Sequence, residues 1–144
     1  MSDSTVSLTV PATAPFASVA RSTTVRMAAL SGLTVEQVED VRLAVSETFA
    51  ALITRPDIIT VQLAFTARTS SSAAQTERSS QQPAAASLRV VLRATCAGEL
   101  ERASEADLSW TLAKELVDTA DWLGAPAGVT VELTVAAATV VPLP

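Results

Sequence analysis

A chain of 144 residues that is 49% apolar but only 3% aromatic suits one domain, with a core built from Val, Leu, Ile and Ala. Ten lysines and arginines against fifteen acids give a net charge of −5, which argues against direct nucleic-acid binding, because a phosphate footprint needs clustered bases. One cysteine, Cys96, and no histidine exclude a disulfide within the chain, a Cys/His zinc site and histidine-dependent nucleophilic catalysis.

Val6, Leu8 and Val10 alternate with Ser7 and Thr9 until Pro11, which predicts a short strand with one buried face. Pro15 suits a first helical turn, and Phe16, Val19, Ala20, Thr23, Met27 and Leu30 follow at helical spacing as the expected buried stripe. Arg21 and Arg26 lie off that stripe, and Gly32 suits a left-handed cap. Thr34 to Gln37 has the spacing of a capping box, opening a second helix that runs to Arg55, before Pro56. Its apolar face is Val41, Ala44, Val45, Thr48 and Leu52, with one acid, Glu47, in its middle.

Ile59, Val61, Leu63 and Phe65 alternate with polar or small residues as a strand, and so do Leu88, Val90, Leu92, Ala94 and Cys96. Between them, 67–87 is rich in Ser, Thr, Gln and Ala and is read as a flexible insertion joining two strands of one domain, 1–144. Residues 98–105 read as a loop. Asp107 or Ser104 can cap a third helix with a stripe of Leu108, Leu112, Leu116 and Thr119, flanked by Ala113, Val117 and Ala120. Gly124, Pro126 and Gly128 punctuate its end, and Val129, Val131, Leu133 and Val135 form a closing strand. This order predicts an α+β fold: a two-layer sandwich of a mostly antiparallel mixed sheet with three helices on one face. No run nears the roughly 18 apolar residues of a membrane span. The amino terminus lacks the basic region of a leader, so the expected location is the cytoplasm, with no membrane partner.

The run "DVRLAVSE", entered through "GLT", and the later "SWTLAKELVD" resemble stretches of the anti-sigma-factor serine kinases, nearest to the actinobacterial anti-sigma-F type. The element order matches that whole domain. The resemblance implies a histidine-kinase-like ATPase fold, in which a glutamate and, four residues on, a magnesium-binding asparagine lie on one helix. Glu47 stands at the glutamate position and Ala51 at the asparagine position, with Arg55 at a further basic position. A methyl group cannot ligate magnesium. The adenine-reading D-x-G-x-G turn corresponds to Thr95-Cys96-Ala97-Gly98-Glu99, where only Gly98 remains. The glycine-rich phosphate turn corresponds to Asp107-Leu108-Ser109-Trp110, whose bulk and acidity oppose phosphate.

All three nucleotide features are degraded, so the expectation is no ATP or magnesium cofactor and a vestigial Glu47. The resemblance then implies an anti-sigma factor that sequesters an alternative sigma factor and is released by an anti-anti-sigma partner. Arg21 is the first expected contact residue and Arg26 a second, because arginine's planar fork pairs with carboxylates at two points. The family's dimerisation through sheets implies a homodimer, with Val6 to Val10 as the candidate edge. The alternative expectation is an active ATP-dependent serine/threonine kinase that phosphorylates an anti-anti-sigma protein, with Glu47 as base and ATP and magnesium as cofactors. Cys96, at a strand end, reads as packing rather than a redox sensor.

Overall fold

A computed structural model describes residues 2–69, 86–96, 107–125 and 128–138. Most of the expected insertion, the loop at 98–105, Gly98 and Pro126 lie outside the described residues. Five strands form one open sheet: β1 (Ser2–Pro11), β2 (Thr60–Thr69), β3 (Ser87–Thr95), β4 (Thr119–Ala125) and β5 (Gly128–Ala136), in the order β1-β2-β3-β5-β4. Every ladder is antiparallel, so the parallel pair expected of a mixed sheet is not found among the described strands.

The register explains the strand pattern. Val61, Leu63 and Phe65 of β2 face Ala94, Leu92 and Val90 of β3, and the latter two face Val131 and Leu133 of β5. All of these are buried, and all lie on one side of the sheet because side chains alternate along a strand. Three helices cover that side: α1 (Ala17–Leu30), α2 (Val35–Ile53) and α3 (Leu108–Leu116). α1 packs on β2, α2 on β3 and β5, and α3 on β4, with α2 packed against both of the other helices. The fold is thus α+β, an open antiparallel sheet with three helices.

The helix ends follow local chemistry. Ala14–Phe16 is a single 3-10 turn carrying Pro15, and it leads directly into α1. Ser31 closes α1 with its hydroxyl on the Met27 carbonyl (2.8 Å), and Gly32 turns the chain at φ +76°, a left-handed value that glycine adopts without a Cβ clash. The capping box is present: Thr34 Oγ1 accepts from the Gln37 amide (3.2 Å), and Gln37 Oε1 accepts from the Thr34 amide (3.1 Å). Pro56 follows α2, as its barrier to helix would require.

Several sequence expectations are corrected. The expected third helix does not continue to Thr119 and Ala120. It stops at Leu116, Val117 is extended (φ −129°, ψ 164°), and Thr119–Ala125 forms strand β4 against β5. Tryptophan at 122 and alanine at 120 face inward there, while Thr119, Asp121 and Leu123 face out. The α3 stripe is also displaced: Leu108 and Leu112 are exposed (82% and 40%), and Trp110 and Ala113 are buried instead. On α1 the buried residues are Ala20, Thr24, Met27 and Ala28, whereas Phe16, Val19 and Leu30 remain exposed. Ile59 is exposed and precedes β2, its place in the core taken by Ile58.

Gly128 opens β5 where the backbone of β3 passes closest. A Cβ built there would run into the carbonyl oxygen of Ala94. Ala125 pairs with Gly128 in the β4–β5 ladder, so this close approach sets the entry of the final hairpin.

Candidate functional site

α2 carries Glu47, Ala51 and Arg55 or its immediate end at steps of four, which places them along one face, one turn apart. Glu47 is half-buried, with no hydrogen bond or ion pair among the described residues. Ala51 is sealed at 2% exposure. Arg55, just past the helix, lays its guanidinium over the indole of Trp122, 5.3 Å from the ring centroid, within reach of a cation–π attraction.

Trp122 in turn meets Trp110 edge to face, with centroids 5.3 Å apart and planes at 68°. This is the arrangement that aromatic quadrupoles favour. Both tryptophans are buried, and Trp122 Nε1 finds no acceptor among the described residues. Cys96, at the end of β3, is buried in the same core as Ala51 and both tryptophans. Three elements therefore converge here: the second half of α2, the start of α3 and the middle of β4.

At the start of α3, Asp107 caps the helix. Its Oδ1 accepts from the amides of Ser109 (3.1 Å) and Trp110 (3.3 Å). Those amides are the donors that a bound phosphate would use at a helix N-terminus. A carboxylate already occupies them, and its negative charge opposes a second anion. Of the sequence-expected nucleotide positions, Gly98 lies outside the described residues, while Glu47 and Ala51 share one helix face. Trp122 was not foreseen as part of this region. The one available signal was that two of the five aromatic residues of the whole chain are tryptophans.

On the far side of α2, Arg21 of α1 is half-buried and donates from Nη1 to Ser46 Oγ (3.2 Å). Ser46 directly precedes Glu47, so Arg21 is tethered to the same helix that carries Glu47 and Ala51. Arg26 is exposed and makes no ion pair among the described residues. The two arginines diverge, being about 140° apart around the helix at 100° per residue.

Among the described residues, the other face of the sheet bears no helix. Two ion pairs cross it: Arg68 to Asp3 (3.1 Å) and Arg89 to Glu132 (2.7 Å, with a second contact of 2.8 Å). The hydrogen bonds from Arg89 hold the Glu132 carboxyl below its ordinary pKa. Between the two arginines lies a shallow cleft of about 210 Å³ over Thr66, Ser87 and Thr134. Arg68, Arg89 and Asp3 line it as well, each arginine already paired with a carboxylate.

Among the described residues, no helix is long and apolar enough to cross a membrane. No protein-family model matches the chain, and no curated protein matches it.

Proposed function

We propose that this chain works by covering a protein partner, as an anti-sigma factor that sequesters an alternative sigma factor in the cytoplasm and is released by an anti-anti-sigma protein. The observation that carries the reading is the closure at Ala51. A buried methyl stands where the resembled kinases need a magnesium-binding amide, and a buried residue without an oxygen donor cannot serve. Asp107 supports the same reading, since it takes up the α3 amides that would otherwise hold phosphate. Trp110, Trp122 and Arg55 add bulk beside them. Covering a partner needs a surface and no turnover, and α1 carries two arginines, Arg21 beside α2 and Arg26 exposed on another side of the helix.

The test is direct. Purified protein is mixed with candidate sigma factors and run by size exclusion, with and without magnesium-ATP. A complex formed equally well in both conditions is the expected result. Absence of any complex in either condition overturns the reading.

One observation favours a second reading, an active serine/threonine kinase acting on an anti-anti-sigma protein. Glu47 is only half-buried and pairs with no described group, so its carboxylate is within reach of a substrate hydroxyl. Phosphate transfer from labelled ATP to such a substrate, abolished in Glu47→Ala, would establish that reading in place of the first.

Homodimerisation belongs to the same proposal. β1 is a ten-residue edge strand with a regular ladder to β2, and its only charged residue, Asp3, is already paired with Arg68. Such an edge presents unpaired backbone groups to another strand.

A further inference from the structure

We infer that the outward flank of α1 docks an amphipathic helix that carries acidic side chains. Phe16, Val19, Thr23, Arg26 and Leu30 recur at steps of three, four, three and four, the spacing of a coiled-coil seam. Phe16 is already in the right-handed helical region, so the pattern is continuous across the start of α1. The apolar members are exposed by 39% (Phe16), 43% (Val19) and 67% (Leu30), although the same helix buries Ala20, Thr24, Met27 and Ala28. Three large apolar residues are thus outside while two alanines and a threonine are inside beside Met27, which burial alone would not select.

The position of the seam follows from the packing. Arg21 reaches α2 through Ser46, which marks the α2 side of the helix. The sheet side is marked by Ala20 and Met27, since α1 packs on β2. The seam lies on the remaining flank, the one away from α2, above the free edge made by β1. Val6, one of the helix-facing residues of β1, is 43% exposed at that edge.

Charge selects the occupant. α1 has two arginines and no acid, in a chain whose net charge is −5. Arg26 sits within the seam and has no ion partner among the described residues. A helix whose apolar stripe is bordered by Asp or Glu would cover Phe16, Val19 and Leu30 and meet Arg26 with a carboxylate. A second copy of α1 fits poorly, because two such helices would bring arginines together with no acid between them. The inference stands whether or not the partner is a sigma factor.

The experiment uses the full chain and a fluorescent peptide of about three heptads, with Leu at the seam positions and Glu beside them. Binding is read by anisotropy, against the same peptide with Lys in place of Glu. The acidic peptide is expected to bind about tenfold more tightly than the basic one, and its advantage to shrink as salt rises. Arg26→Glu should invert the preference, Val19→Ser should weaken both peptides, and Lys114→Glu on α3 should change nothing. The substituted side chains are exposed or half-exposed, so far-UV circular dichroism and melting should match the parent. The inference is overturned if the two peptides bind alike or not at all, or if Arg26→Glu leaves the preference unchanged. It is also overturned if sedimentation shows a dimer that Val19→Ser dissociates, since the flank would then belong to a second copy. A bound acidic peptide without any sigma-factor complex would keep this surface and remove only the anti-sigma reading.

Discussion

The side-chain amide of Gln37 donates to the carbonyl of Ala136 at 2.7 Å, joining the first turn of α2 to the last residue of β5 across 99 positions of sequence. The same side chain accepts from the amides of Thr34 (3.1 Å) and Ala138 (3.2 Å). Asp118 completes the hold, its Oδ2 accepting from the Ala136 amide at 2.7 Å. Both backbone groups of Ala136 are therefore held by side chains, one from a helix and one from the start of the final hairpin. What looks in sequence like a local capping box also ties the helical layer to the sheet.

That double use separates two substitutions that an isolated capping box would treat alike. Glu serves as well as Gln in the reciprocal cap. Here Gln37→Glu loses the donor to Ala136 and sets a carboxylate against a carbonyl oxygen. The expected loss is about 1–2 kcal/mol, near that of Gln37→Ala. Urea unfolding of both variants measures it, and a Gln37→Glu protein as stable as the parent would contradict the tie.

The two left-handed or crowded glycines are expected to differ in cost. Gly32→Ala meets open space and loses only through its φ of +76°, about 1–2 kcal/mol. Gly128→Ala drives a methyl into the Ala94 carbonyl, a backbone atom that cannot swing aside. Its cost is expected at about 3 kcal/mol or more, the range of severe steric change. Thermal melts rank the two, and equal losses would mean that β3 and β5 separate more easily than their register suggests.

The Arg89–Glu132 pair sets a pH dependence. Arg89 lowers the folded pKa of Glu132, so the pair stabilises the protein above the ordinary carboxylate pKa. That contribution is lost as pH falls through the depressed folded value. The raised pKa of Arg89 has no effect in this window, since arginine is charged throughout it. With side-chain exposures of 52% and 30%, solvent screens the pair, and its contribution is expected at about 0.5 kcal/mol. Glu132→Gln should therefore melt slightly below the parent at neutral pH and together with it at strongly acid pH. A gap that persists in acid would assign the effect to packing rather than to charge.

Much of the fold was legible because its strands keep strict alternation. Val61, Leu63 and Phe65, or Val129 to Val135, can bury one face only as strands. Gly32 and the Thr34–Gln37 box were legible because their chemistry is local. The helical faces were not. In α1, apolar residues surround much of the helix, and the sheet takes the small ones, Ala20 and Ala28, which permit close approach. In α3, three leucines outvoted one tryptophan in the pattern, yet Trp110 has a partner in Trp122 that no local spacing could reveal. β4 was hidden for a related reason. Ala120, Trp122 and Gly124 alternate weakly, and the strand is defined chiefly by its pairing with β5. At the candidate site, the residue types at positions 47 and 51 were plain, but the closure around them depends on elements distant in sequence.

The closure at Ala51 leads to a restoring substitution that should restore nothing. Ala51→Asn returns the amide that the resembled kinases use for magnesium. Here it would enter a site only 2% exposed, where an amide lacks both room and partners. Overpacking and an unsatisfied polar group together are expected to cost about 2–4 kcal/mol. For a domain of this size that lowers the melting temperature by roughly 5–15 °C. Magnesium-ATP should raise neither the parent nor the variant, because Asp107 still holds the α3 amides. A bound nucleotide at about 100 times its dissociation constant would add roughly 2.7 kcal/mol, a shift that differential scanning fluorimetry resolves easily. Such a shift in the parent chain would show the site open to nucleotide and would favour the kinase reading proposed for Glu47. The same shift confined to Ala51→Asn would show that this one side chain had closed the site.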